Sequence, residues 1–350
     1  MAKNVSKWRV LWDEISEDRD LVFFILSWLL AWIMPGAFLL ARVIGSVVLF
    51  LVGVALYFSR HKRIAEQISR TKPVPVVCVV GKPDDEARRT FELALEAIRD
   101  TTGFRAFASV ERFFNVQYRE TLRHQESPFP PGEPQRWHDF IHQVQERIDR
   151  FVDRLPGTKV FHVFIQGPAS LALGLGAVFA CKHPLIVYHW TGTGYQPVLD
   201  LRENPRRVKD PVTEKPRFLL IPEDAFAGLS EDTAVALGLA SHSLEGSVRS
   251  FLQEKGNGQW KVIVVKSTYG GTLREDDWAP VVQELFSVFC MLHDRQEVRR
   301  IHLFHSMPVA LAFGLGMALG DFIPITVYNW TKDQATYDPV IKLNELKSLL

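Results

Sequence analysis

Residues 161–191 read FHVFIQGPASLALGLGAVFACKHPLIVYHWT, and residues 301–331 read IHLFHSMPVALAFGLGMALGDFIPITVYNWT. The two stretches align without a gap. Identical pairs include His162 and His302, Phe164 and Phe304, Pro168 and Pro308, Gly174 and Gly314, Gly176 and Gly316, Tyr188 and Tyr328, and Trp190 and Trp330. Each copy spells a strand, an apolar helix opened by proline, and a second strand. Farther on, YQPVLDL from Tyr195 matches YDPVIKL from Tyr337 as a returning strand, close enough for a hairpin. A repeat this long is no solenoid. It means two similar modules in tandem, packed about a pseudo-two-fold axis.

The correspondence weakens upstream. VPVVCVV from Val74 pairs with RFLLI from Arg217 as a first strand, and a helix near 84–100 pairs with one near 231–254. FRAFASV from Phe104 pairs with WKVIVVK from Trp260 as a second strand, and a helix near 134–154 pairs with one near 277–294. Alternating strands and helices predict an α/β fold with two mainly parallel sheets, each carrying an antiparallel edge. The expected halves span 73–203 and 204–350. RENPRRVKDPVTEKP from Arg202 reads as the link between them, and HQESPFPPGEPQ from His124 as a Pro-rich excursion within the first.

The 41 Lys and Arg residues nearly balance 40 Asp and Glu, leaving a formal charge of +1. That excludes the basic field that grips duplex nucleic acid. Cys78, Cys181 and Cys290 lie far apart in apolar runs without metal-ligand spacing and read as reduced core residues.

The stretch 21–58, LVFFILSWLLAWIMPGAFLLARVIGSVVLFLVGVALYF, has Arg42 as its one charge. It is about twice the length of a spanning helix, and Pro35-Gly36 breaks it near the middle. Two transmembrane helices in a hairpin are expected. Lys3, Lys7 and Arg9 on one side and the basic connector 59–72 on the other put both ends in the cytoplasm of a two-pass membrane protein. No cleavage site follows, against a signal peptide. Trp8, Leu11, Trp12 and Ile15 give the segment 1–20 an apolar helical face, suited to the membrane surface or to docking on protein.

Ligands of open α/β sheets bind beyond the carboxyl ends of the strands. Gln166 and Gly167, and His305, Ser306 and Met307, occupy such ends before the two Pro-opened helices, whose free N–H groups suit an anion. They also read as ordinary helix starts. Trp190, Thr191 and Tyr195, with Trp330, Lys332 and Tyr337, offer aromatic faces for a base, hydroxyls and a cation. The alternative is core aromatics around a hairpin turn. Lys266, Ser267 and Thr268 follow a strong strand and can approach phosphate, without Walker spacing. Gly174 and Gly176 fall inside a helix and read as close helix–sheet packing. Asp84 or Asp85 reads as a helix cap. His162 and His302 read as satisfied structural histidines. No H-E-x-x-H, G-x-S-x-G or C-x-x-C motif is present, so neither an enzyme nor a cofactor is implied.

The paired motifs FHVFIQGPASLALGLG, LIVYHW and YQPVLDL, and IHLFHSMPVALAFGLG, ITVYNW and YDPVIKL, resemble the SAVED domain over about residues 72–350. That domain is a fused pair of CARF-like, Rossmann-like units. An apolar pair of helices in front resembles the two-transmembrane SAVED effectors of bacterial CBASS antiphage defence. The resemblance implies a sensor of a cyclic oligonucleotide second messenger lying across both halves, with a cyclic trinucleotide favoured because Lys332 faces Gly192 in the other copy. It further implies self-association on binding and disruption of the inner-membrane bilayer, leading to abortive infection. A ring-opening nuclease on the same scaffold is the competing expectation.

Overall fold

The computed structural model describes residues 71–350 except 213, 241–243, 270–272, 274–276 and 347–350, and of the first seventy residues 26, 29, 43–45, 47–55 and 59. The chain divides into Met1–Arg70 and Thr71–Leu350. In the first unit, residues 43–45 and 47–55 are helical, and Val43, Ile44, Val47, Val48, Phe50 and Leu51 are exposed. Among the described residues no helix is long and apolar enough to cross a membrane. The expected hairpin over 21–58 lies mostly outside the described residues, and the face of Trp8, Leu11, Trp12 and Ile15 wholly so.

The second unit begins with the Val-rich strand β1 (Thr71–Val80), followed by helices α1 (Asp84–Thr102), α2 (Phe107–Phe114) and α3 (Tyr118–Leu122), then β2 (Arg123–Glu126) and α4 (Pro134–Arg154). The first copy of the repeat supplies β3 (Thr158–Gln166), α5 (Ala169–Phe179), β4 (Leu185–Trp190) and β5 (Tyr195–Asp200). A short 3₁₀ turn at Pro205–Lys209 leads on to β6 (Leu219–Leu220), β7 (Asp232–Gly238), α6 (Glu245–Glu254), β8 (Lys261–Ser267) and α7 (Ala279–His293). The second copy supplies β9 (Arg300–Ser306), α8 (Val309–Leu319), β10 (Ile325–Thr331) and β11 (Thr336–Lys342).

The sheets run β2-β1-β3-β4-β5 and β11-β10-β9-β7-β8-β6. Removing β6, they share one topology. In both, β5 or β11 is the antiparallel edge, joined in a hairpin to β4 or β10, as expected, and the four other strands are parallel. The register identifies the equivalent strands: Pro75 lies opposite His162, and Ala234 lies opposite His302.

This corrects the upstream pairing. The counterpart of β1 is β7, within the region expected to be helical, and RFLLI contributes only the two-residue β6, antiparallel to β8. FRAFASV is not a strand. Its second half enters α2, where Phe107 and Val110 turn inward one helical turn apart. The strand in that place is β2, the start of the stretch read as a Pro-rich excursion. Asp84 does not cap α1. The N-cap is Pro83, and Asp84 sits in the first turn, paired with Arg88 and Arg123. Pro168 and Pro308 are N-caps, one residue before the first helical position.

α5 and α8 are apolar around their whole circumference and nearly every residue is buried, as such a helix must be. They cross each other at two glycines. A Cβ on Gly176 would lie 2.1 Å from the Phe313 carbonyl oxygen, and one on Gly316 would lie 2.1 Å from that of Leu173. Gly174 and Gly314 are equally reciprocal: the first abuts Ile141 of its own half and Ile341 of the other, the second Val282 of its own half and Leu199 of the other. The expectation of helix–sheet packing holds for one pair. The other pair permits helix-on-helix contact between the halves, and the exchange of partners is the signature of a pseudo-two-fold axis.

Candidate functional site

The strand mouths of the two halves are built alike from aromatic residues. Phe164 stacks on Tyr188 at 4.3 Å, and Tyr195 packs edge-on to Phe164 at 4.9 Å and to Trp190 at 5.1 Å. In the second half Phe304 stacks on Tyr328 at 4.4 Å, and Tyr337 packs on Phe304 at 5.1 Å and on Trp330 at 4.8 Å. Alternation along β4 and β10 puts Tyr and Trp on one face, the Tyr inward and the Trp at the rim. Tyr337 is buried, with its hydroxyl 3.0 Å from that of Ser247. Trp330 is 43% exposed, so it is the one of these rings with a free face. Trp190 is half-buried.

Thr191 closes a tight turn. Its N–H and its hydroxyl both donate to the Gly194 carbonyl at 3.0 Å, and Gly192 takes φ +96°. Lys332 is exposed in the equivalent turn. The Gln166 side chain accepts from the Thr90 hydroxyl at 3.2 Å. Gly167 runs so close to β1 that a Cβ would sit 3.2 Å from that of Val80. In the second half the Ser306 carbonyl accepts from the N–H groups of Leu239 and Ala240, and Met307 is buried. Neither α5 nor α8 has a side-chain cap.

The structure sets Lys266 apart from this group: its ammonium pairs with Glu245 at 3.3 Å. Ser267 accepts from the Tyr269 N–H, and Thr268 donates to the Phe218 carbonyl. The Gly270-Gly271 pair lies outside the described residues.

One contact joins the two mouths. Ser170, in the first turn of α5, donates its hydroxyl proton to Oδ1 of Asn329 at 3.0 Å, and its oxygen lies 2.9 Å from Nε2 of His305. An amide oxygen only accepts. The serine proton is therefore committed to Asn329, and His305 donates from Nε2. Nδ1 of His305 is left as a buried acceptor with no partner among the described residues. The equivalent positions are Ala310, His189 and Ile165, so the symmetry of the fold is broken where the halves meet. Ser170 and Asn329 carry no motif; the mismatch between copies is the signal that marks them.

At the mouth of β1 and β2 a cavity of about 620 Å³ is lined by Gly81, Lys82, Gln125, Glu126, Ser127 and Pro128. Glu126 accepts from the Ser127 N–H and hydroxyl, at 2.9 and 2.8 Å, and from Arg136 at 3.1 Å. Gln125, Glu126, Ser127 and Pro128 come from the Pro-rich stretch and, with Gly81 and Lys82 after β1, add polar groups at this strand end. Among the described residues no group of His, Cys, Asp and Glu is placed to hold a metal. Cys78, Cys181 and Cys290 are free thiols, the first buried and the others half-buried.

His162 and His302 bond to Tyr188 and Tyr328 at 2.9 and 3.2 Å and are structural. Burial pushes His124 and His162 down to about 3 and His305 to about 4, with help from Arg147 and Arg202 in the first two. All three are neutral in the folded chain, and each takes up a proton on unfolding below its ordinary value of 6.5. Stability is therefore full above that pH and declines as the pH falls towards 4, by about 1.4 kcal/mol per unit for each histidine. Urea titrations at about pH 7.5 and about pH 5 should give a lower midpoint at the acid value with an unchanged slope. Equal midpoints would contradict the neutral burial of these rings.

A family model, the SMODS-associated and fused to various effectors sensor domain (SAVED), matches residues 132–201 and 206–343. No curated protein matches the chain. Among solved structures, the Acinetobacter baumannii Cap4 SAVED/CARF-domain containing receptor with the cyclic trinucleotide 3'3'3'-cAAA aligns at 13% identity and TM-score 0.50, over 85% of this chain and 56% of that one. The same receptor with 2'3'3'-cAAA aligns at 13% identity and TM-score 0.48, over 85% and 55%. The Moraxella osloensis Cap4 receptor aligns at 15% identity and TM-score 0.44, over 65% and 48%. The chain thus spans about half the length of these solved relatives. The family model covers more than half of the sequence and both copies of its repeat, and the chain belongs to the SAVED sensor-domain family.

Proposed function

We propose that the chain is a membrane-anchored sensor of a cyclic oligonucleotide in bacterial antiphage defence. The observation that carries this reading is the pair of sheets that share one topology apart from β6 and whose strand mouths are joined by Ser170, His305 and Asn329. Membership of a sensor family and the cyclic trinucleotides held by Acinetobacter baumannii Cap4 support it. The two halves, 73–203 and 204–350, supply different groups to the ligand: Ser170 stands against Ala310, His305 against Ile165, and Lys332 against Gly192. Unequal halves suit a ring without two-fold symmetry, so a cyclic trinucleotide is favoured over a dinucleotide. The segment 21–58 crosses the inner membrane twice, with both ends cytoplasmic. The exposed side chains of Val43, Ile44, Val47, Val48, Phe50, Leu51 and Val52 support this, because such a surface is unfavourable in water. Ligand binding drives self-association, which gathers the helices and disrupts the bilayer. The protein acts on no covalent bond.

Calorimetry of the full chain in detergent with cyclic tri- and dinucleotides, followed by chromatography of the ligand, tests this. Intact ligand, saturable binding and larger assemblies are expected. Linear products would replace the sensor by a ring-opening nuclease, and no binding across the panel would overturn the reading. A chain lacking residues 1–60 should still bind and should have lost toxicity in infected cells; persistent toxicity would remove the membrane step.

A further inference from the structure

A second cavity, of about 580 Å³, opens far from the strand mouths. It lies between the α2–α3 connection and the C-terminal half of α4, and its lining includes Asn115, Gln117, Glu120 and Phe151. Arg147, Arg150 and Arg154 also line it. Their spacing along α4 puts the three guanidinium groups on one helix face. In a chain of net charge +1 this is a local concentration, reduced by the single acid Glu120. Arg150 donates to the Glu146 carbonyl of its own helix. No carboxylate among the described residues pairs with any of the three. Two buried polar atoms beside this lining have no partner among the described residues: the Tyr118 hydroxyl, whose ring packs on Phe151 at 5.1 Å, and Nε2 of His124, which feels the charge of Arg147.

The place of this cleft in the fold identifies its occupant. α4 ends at Arg154, just before β3 starts at Thr158, and Thr158 pairs with Thr71, the first residue of β1. Lys72 binds the Pro156 carbonyl at the same end of the sheet at 2.6 Å. The helix that carries the arginines therefore ends where the parallel strands begin, at the end of the sheet that Thr71 opens. We infer that Arg147, Arg150 and Arg154 bind the phosphate headgroups of anionic lipid, holding the amino-terminal end of the sensor's first sheet against the bilayer. This rests on the membrane reading above. Phosphate oxygens suit the planar guanidinium donors, and basic residues beside a membrane anchor are drawn to anionic leaflets.

The test uses the full chain reconstituted in lipid nanodiscs, either wholly zwitterionic or containing phosphatidylglycerol. Amide hydrogen exchange across 115–121 and 147–154 should be about tenfold slower in the anionic discs, and the difference should vanish at high salt. The variant Arg147→Gln/Arg150→Gln/Arg154→Gln should insert equally well and show no dependence on lipid charge. Exchange independent of lipid composition in the parent chain, or protection that survives in the variant, would overturn the inference while leaving the membrane reading intact. Protection produced equally by inorganic phosphate in zwitterionic discs would reassign the cleft to a soluble anion. Failure of the chain to insert into either disc would end the membrane reading, and this inference with it.

Discussion

Trp330→Ala combined with Ser306→Ala is expected to weaken binding of the cyclic oligonucleotide proposed as the ligand by about ten- to a hundredfold, while the thermal melt of the protein stays within a few degrees of the parent. Trp330 presents an open ring face at the end of β10, and its other face leans on Tyr337. Removing one aromatic platform costs about 1–3 kcal/mol of base stacking. Ser306 stands at the end of β9, where the chain turns into α8, and its loss removes a hydroxyl beside an uncapped helix start. Neither side chain is a core anchor, so the loss should appear in affinity and not in folding. Affinity within twofold of the parent would move the ligand site away from the second mouth. The same change at buried Tyr337 would be a poor test, because its ring supports both Phe304 and Trp330.

Gly176→Ala should be among the most damaging single-methyl changes available to this fold. The new Cβ would lie 2.1 Å from the Phe313 carbonyl oxygen and 2.9 Å from the Met317 nitrogen, both backbone atoms of a helix that is itself buried. No rotamer can relieve that contact, and α5 and α8 must separate. Overpacking of this kind costs about 3 kcal/mol or more, which in a unit of this size lowers the melting temperature by about 10 °C. Gly316→Ala should do the same from the other side, since its Cβ would meet Leu173 as closely. Gly246→Ala is the matched control. It lies in α6 with nothing within 4 Å of the added methyl among the described residues, and should be neutral or slightly stabilising. Equal melting of the Gly176 and Gly246 variants would show that the halves do not meet through these helices.

The repeat was legible where side chains are dictated by close approach. Gly176 and Gly316 must be glycine, and the Phe, Tyr and Trp of each mouth must fill the same space, so both copies keep the same letters. Upstream, the constraint is only to be apolar, and register is lost. DTAVALG is rich in Ala and Leu and runs towards a helix, so it reads as helical, although burial between β8 and β9 makes it a strand. RHQE carries no apolar residue, so β2 leaves no alternation to detect. It is held as a strand by its pairing with Val77–Val80. At the site, the aromatic rim was visible as a pattern of residue types. The Ser170–His305–Asn329 contact was not, because it depends on how one half is set against the other.

Both sheets also end in ways that decide whether a foreign strand can add to them. β2 is four residues long and β6 two. The opposite margins, β5 and β11, contain Pro197 and Pro339, which lack a donor for a new neighbour. Among the described residues a strand from outside therefore finds no long ribbon of free amides to zip onto, and neither sheet is built to grow by strand addition.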